Sequence, residues 1–196
     1  MTVYKPRADS YLLATELRKL AQGNVLDVGT GSGILAITAA TSNKVKNVTA
    51  ADISKKAIET AKKNAATAKV RIRFIQSDLF KKIPLQSFDT IIFNPPHLPR
   101  DKEFFDMAIH GGDNGYEIIE KFLSGCSKFL APKGMILLLF SSLTNKQRID
   151  EIINECCLEK EALQQQSGVL NDRDQFHDDQ HHPYDLLHLQ SKEGSC

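Results

Sequence analysis

The chain alternates between short apolar runs and longer amphipathic stretches. Runs at 24–28, 47–51, 70–75, 88–93 and 134–140 have the length and apolar content of strands. Stretches at 32–41, 54–68, 116–130 and 145–157 carry apolar residues at helical spacing. A further helix precedes the first strand: Leu12, Leu13, Leu17 and Leu20 share one face, Asp9 is placed to cap its start and Gly23 to end it. Met135-Ile136-Leu137-Leu138-Leu139-Phe140 has no polar position, as a central strand covered on both faces requires. Strand–helix alternation of this kind predicts an α/β fold with a mostly parallel sheet and right-handed crossovers. We expect a single domain over residues 1–196, with an N-terminal helix or lid segment at 1–22 and a polar loop at 171–183.

Polar residues are informative where these runs stop. The run Phe88-Asp89-Thr90-Ile91-Ile92-Phe93 ends in Asn94-Pro95-Pro96-His97. Proline cannot continue a ladder and restricts the residue before it, so the chain leaves the sheet rigidly at Asn94. A carboxamide and proline carbonyls are thereby set at the carboxyl end of a strand, where open α/β sheets bind ligands. Each can accept one hydrogen of a planar –NH2 group.

The run at 24–28 leads into Asp27-Val28-Gly29-Thr30-Gly31-Ser32-Gly33. Glycines at every second position allow a tight turn and close approach of a ligand. The spacing is not the G-x-G-x-x-G of dinucleotide folds, and Asp27 before it would repel a pyrophosphate while attracting an ammonium group. Asp52, ending the run Val48-Thr49-Ala50-Ala51, has the position of a bidentate acceptor for two ribose hydroxyls. Asp78, after the run at 70–75, could accept from an adenine amino group. An amino acid, a ribose and an adenine together describe S-adenosylmethionine better than NAD.

With these residues in view, the chain resembles the class I S-adenosylmethionine-dependent methyltransferases, and within them the HemK-type glutamine methyltransferases that act on translation termination factors. Three stretches carry the narrower resemblance: Val3-Tyr4-Lys5-Pro6-Arg7-Ala8-Asp9-Ser10, Asn94-Pro95-Pro96, and Ile109-His110-Gly111-Gly112-Asp113-Asn114-Gly115. It covers roughly residues 3 to 150. The resemblance implies the seven-stranded Rossmann-like sheet of that class, ending in an antiparallel hairpin near 161–168 and 184–190. It is to the short archaeal and eukaryotic branch, which has no N-terminal helical domain.

The resemblance also implies roles. Ser10, Asp27, Gly29, Gly31, Asp52, Asp78, the Leu79 backbone and Asn94 would contact the cofactor, while Tyr4 and Pro6 would pack over it. Asn94 and Pro95 would be catalytic, and Asn94, Pro95, Pro96 and His97 would bind the substrate. The family usually has an aromatic residue where this chain has His97. The short branch often works with a small zinc-binding activator protein, which would dock at the edge strand 70–75. Arg71 and Arg73 would then lie on the face opposite Val70, Ile72 and Phe74.

Bulk properties narrow the alternatives. A net charge of +1 with scattered basic residues lacks the basic stripe that nucleic-acid binding calls for, which favours a protein substrate. An N6-adenine methyltransferase acting on RNA or DNA stands as the alternative enzyme. A catalytically weak, cofactor-binding scaffold subunit stands as the alternative of another class. The four cysteines show no C-x-x-C spacing and read as free thiols of a reducing compartment. His177, His181 and His182 read as a solvated hairpin loop and not as metal ligands, so no metal site is assigned. Without an apolar leader or a membrane-length run, a cytoplasmic location, or a cytoplasmic and nuclear one, is expected.

Overall fold

A computed structural model of the protein describes residues 3, 5–96, 111–141, 144–161 and 184–192. Its elements follow in the order α1 (Ala8–Leu20), β1 (Gly23–Val28), α2 (Ile34–Ala40), β2 (Val45–Asp52), α3 (Lys55–Thr67), β3 (Arg73–Gln76) and β4 (Phe88–Phe93). Then come α4 (Glu117–Cys126), a 3-10 turn at Ser127–Phe129, β5 (Leu130–Ser141), α5 (Lys146–Glu155), β6 (Leu158–Glu161) and β7 (Tyr184–Ser191). The seven strands form one sheet in the order β3-β2-β1-β4-β5-β7-β6. β1 to β5 are parallel, and β7 runs antiparallel to both β5 and β6.

Strand alternation divides the core into two layers. On one face Leu26, Val28, Ile91, Phe93, Ile136 and Leu138 pack with Phe122, Leu123 and Ile152 of α4 and α5. On the other, Val25, Val48, Ala50, Ile92, Leu137 and Leu139 pack with Leu13, Leu17 and Ala36 of α1 and α2. Within the first layer Phe122 packs between Phe93, tilted against it at a ring-centroid distance of 4.4 Å, and Phe80, stacked at 5.5 Å.

Several boundaries differ from those read in the sequence. α1 starts one residue before Asp9, with Arg7 as the cap residue, and Asp9 is buried inside the first turn instead of capping it. α1 also ends at Leu20, and Gly23 opens β1 with a positive φ of 62°. The strand expected at 70–75 is Arg73–Gln76. Lys69 turns through φ 57° and the Val70 N–H donates to the Ala65 carbonyl, so the chain stays tied to α3 until pairing begins at Thr49–Arg73. The helix expected at 116–130 stops at Cys126. β5 pairs with Phe88 already at Leu130 and absorbs Pro132, Lys133 (φ 62°) and Gly134 as an irregularity. The hairpin begins earlier than expected, at Leu158, and residues 162–168 lie outside the described residues.

Cys126 and Cys156 are free, and burial pushes the Cys126 thiol up to about 12, so it behaves as an apolar core group. Cys157 is disulfide-bonded, which corrects the reading of all four cysteines as free thiols. Among the described residues no helix is long and apolar enough to cross a membrane.

Phe122 is fully enclosed between two aromatic neighbours, so truncation leaves a cavity that the sheet cannot close. Phe122→Ala should lower the unfolding free energy by about 3–5 kcal/mol. Urea denaturation should show this as a reduced midpoint with an unchanged slope.

Candidate functional site

The sheet reverses its strand order between β1 and β4, which opens a crevice at their carboxyl ends. Register decides what lies there. Val28 pairs with Phe93 and with Ala51, so Gly29, Asn94 and Asp52 leave three neighbouring strands at one level. Backbone bonds beyond the strands hold that level: Thr30 N–H donates to the Ala51 carbonyl and Ser77 N–H to the Asp52 carbonyl, each at 2.9 Å.

The glycines have different tasks. A Cβ on Gly33 would lie 3.0 Å from the Ala61 Cβ, so this position lets α3 approach the start of α2. Among the described residues a Cβ on Gly31 would meet nothing nearer than 4.0 Å, and this bare backbone at φ 54° leaves room for a ligand. Asp27 is completely enclosed beneath the loop. Its Oδ2 accepts from Thr30 Oγ1 at 2.6 Å and from Ala36 N–H at 3.1 Å, while its Oδ1 has no hydrogen-bond partner among the described residues. Burial pushes this carboxyl up to about 7; the Thr30 and Ala36 hydrogen bonds pull it down, and the charge of Asp52 adds to the rise. An underused, buried carboxylate under a glycine loop suits a cationic ligand.

Asp52 braces the same loop. Its Oδ2 accepts from Gly31 N–H at 2.9 Å and its Oδ1 from Ser54 N–H at 2.8 Å. Burial raises this acid as well, against the pull of the Ser54 and Gly31 bonds. Each carboxylate oxygen keeps a second lone pair for a hydroxyl donor. Beside it Ile53 is half exposed, an apolar surface at the crevice that the sequence reading did not single out.

Asp78 forms a 2.6 Å ion pair with Lys81 on the surface. Such exposed pairs are weak, so a ligand could exchange for the lysine. Leu79 adopts φ 46°, and its turn is fixed by Ser77, whose hydroxyl donates to the Leu79 carbonyl and accepts from Lys82 N–H.

At the end of β4, Asn94 Nδ2 donates to Asp9 Oδ2 at 2.8 Å, and Asn94 Oδ1 is buried with no hydrogen-bond partner among the described residues. Ser10 is buried beside this pair, and its Oγ donates to Asp9 Oδ1 at 3.4 Å. Asp9 was therefore misread as a cap. The two residues are 85 positions apart, and no local pattern links them.

The glycine-rich stretch after Asn-Pro-Pro meets it directly. A Cβ on Gly111 would fall 2.3 Å from the Pro96 carbonyl oxygen and 2.6 Å from that of Gly115. Only glycine permits that contact, and it braces the turn after Asn94. Glu117, also missed, ties the loop through Oε1 to both the backbone N–H and the Nδ2 of Asn114, at 2.9 and 2.8 Å. Burial raises the Glu117 carboxyl, but the hydrogen bonds from Asn114 and its neighbours outweigh this and hold it below the usual range. Tyr4, His97, His110 and the polar loop at 171–183 lie outside the described residues.

Comparison with known proteins places this geometry in a family. The model of the methyltransferase small domain matches residues 7–169. A protein of Methanocaldococcus jannaschii assigned as a protein N5-glutamine methyltransferase is 35% identical over 158 residues, 78% of each chain. The release factor glutamine methyltransferase of Deinococcus radiodurans is 32% identical over 65% of this chain, which spans only 49% of that enzyme's length. Among solved structures, a chain of the E. cuniculi Mtq2–Trm112 complex, responsible for methylation of the eRF1 termination factor, superposes with a TM-score of 0.71. It covers 96% of this chain and 98% of its own at 22% identity, which speaks to the fold alone. The family-model match and the M. jannaschii relative agree with the crevice built by Gly29, Asp52 and Asn94: the chain belongs to the methyltransferase small domain family.

Proposed function

We propose that this protein transfers a methyl group from S-adenosylmethionine to the side-chain amide nitrogen of a glutamine in a protein, a translation release factor. The observation that carries this reading is the unpartnered Oδ1 of Asn94, held level with the glycine loop across the strand-order switch. The glutamine methyltransferases among its relatives support the substrate class.

The cofactor supplies an activated methyl on a sulfonium that leaves as a neutral thioether. The chain's residues fit it. The buried charge of Asp27 attracts the ammonium end, the bare backbone at Gly29 and Gly31 admits the methionine portion, and Asp52 accepts from the ribose. Ile53, Asp78 and Leu79 flank the adenine side, and Ser10 closes the crevice from α1.

An amide nitrogen has its lone pair delocalised into the carbonyl and is a poor nucleophile. Catalysis then rests on placing it in line and stabilising the charge it gains. Asn94 Oδ1 and the Pro95 carbonyl accept hydrogen bonds from its two N–H groups, which orients the lone pair and favours positive charge on nitrogen; after the transfer the cationic nitrogen gives up one proton to bulk water. Pro96, next along the chain, adjoins this pair on the substrate side.

We further propose a small zinc-binding activator protein at the free edge of β3. This strand is four residues long and ends the sheet, with Arg73 exposed beside backbone groups that no strand pairs among the described residues. The fold neighbour's complex with Trm112 supports a protein partner.

Three outcomes test these proposals. Asn94→Ala should cut turnover on a release factor roughly 10²–10³-fold while S-adenosylhomocysteine still binds in calorimetry. Turnover near that of the wild type would overturn the substrate role of Asn94.

Asp27 gives a pH signature. Its carboxyl is raised to about 7, so lowering the pH protonates it and removes the charge that attracts the ammonium group. Cofactor affinity should fall as pH drops below 7, by up to about tenfold per unit. In Asp27→Asn it should be weaker and nearly flat with pH. A wild-type profile that stays flat between pH 5.5 and pH 7.5, by calorimetry, argues against Asp27 as the ammonium's counter-charge; these two values are about the range where a group near pH 7 titrates.

For the activator, co-expression should raise the yield of soluble, active chain, and Arg73→Glu should abolish the complex in pull-down. An isolated chain that is fully active and monodisperse by light scattering, and binds no such protein, rejects it.

A further inference from the structure

We infer that Asp9 is a positioning residue for the transfer: it fixes which end of the Asn94 carboxamide faces the methyl acceptor. This deepens the proposed reaction and rests on Asn94 contacting the substrate there. A carboxamide has nearly the same shape after a half-turn about its last bond, yet one face accepts hydrogen bonds and the other donates them. A site that must receive two N–H groups works only if the oxygen is presented, and neither β4 nor the prolines that end it specify that.

Asp9 does. An ionised carboxylate accepts only, and its Oδ2 lies 2.8 Å from Asn94 Nδ2, with Asp9 just 2% exposed. Turning the amide over would set the Asn94 oxygen against the carboxylate oxygen, two acceptors in contact where little water can intervene. The carboxylate is itself held. Ser10 Oγ donates to its other oxygen, and α1 is anchored by Leu13 and Leu17, both fully buried, in the core layer that also contains Ile92 of β4. The charged partner also polarises the amide it binds, drawing electron density toward Oδ1 and making it the stronger acceptor. The remaining oxygen, buried and unpartnered, is what such an arrangement leaves for the substrate.

The experiment combines a spectrum with kinetics on the full chain, co-purified with its activator if one is bound. In the ¹⁵N–¹H spectrum of the unmutated protein, one Asn94 Nδ2 proton should lie downfield of its twin by a separation wider than that of a carboxamide with no such partner. In Asp9→Asn, whose side chain can accept or donate, that separation should collapse. With S-adenosylmethionine and a release factor, Asp9→Asn should lose about a hundredfold in kcat, with KM and S-adenosylhomocysteine affinity within about twofold of wild type. The double variant Asp9→Asn, Asn94→Ala should be no slower than Asn94→Ala alone, because Asp9 acts through Asn94.

Losses that multiply in the double variant, or near-normal turnover in Asp9→Asn, overturn the inference and leave the role of Asn94 standing. Full activity in Asn94→Ala removes the underlying reaction and the inference with it. If Asp9→Asn fails to fold, the wild-type spectrum decides: two Asn94 Nδ2 protons without that separation overturn the assignment.

Discussion

The site depends on the parallel register between β1, β2 and β4. Backbone pairing of Val28 with both Ala51 and Phe93 forces the three strands to end level, whatever side chains follow. Chain order forces the second condition. β2 and β3 lie on one side of β1, and β4 and β5 on the other, so connections leave the crevice in opposite directions. Gly29, Asp52 and Asn94 become neighbours because each is the first residue after its strand or the last one in it. A register slip of one residue at β4 would carry Asn94 away from the glycine loop and turn every buried side chain of that strand to the opposite core layer.

The crevice is electrostatically costly for the free protein. Asp27 is fully buried with one oxygen unpartnered among the described residues, and burial pushes its carboxyl up to about 7. The folded chain binds more protons at this group than the unfolded chain between pH 3.8 and about 7, so its contribution to stability falls as pH rises through that window. Thr30 and α2 recover part of the cost through hydrogen bonds, and a bound cation would recover more. This is the balance expected of a ligand site, where local stability is lost in the absence of the ligand.

Most of the architecture was legible in the sequence. Apolar runs closing at Val28, just before Asp52 and just before Asn94 located the carboxyl ends of three strands, and residues 88–93 match β4 at both bounds. What escaped were features set by contacts between distant segments. Asp9 has the composition of a helix cap and is placed in the first turn, but its partner is 85 residues away. The start of β3 was displaced by Lys69 in a left-handed turn, a conformation that lysine rarely announces. β5 began early because its pairing tolerates an irregularity at Lys133 and Gly134. The Gly-Gly-Asp-Asn-Gly stretch was visible as a motif, but its contact with Pro96 was not.

Those distant contacts bear on the proposed chemistry, because orienting a weak nucleophile requires every freedom of the acceptor group to be fixed. Strand pairing sets the position of the Asn94 backbone, and the two prolines set the direction in which the chain leaves it. Gly111, whose missing Cβ admits the Pro96 carbonyl, keeps that exit from shifting, and Glu117 holds the loop that carries Gly111. One freedom remains, the rotation of the carboxamide about its own bond, and among the described residues no backbone group bonds to it. A charged acceptor on another element can fix it, and Asp9 on α1 is placed to do so. The N-terminal helix is therefore part of the proposed site as well as a cover for the sheet, linking Ser10 to Asn94 through Asp9.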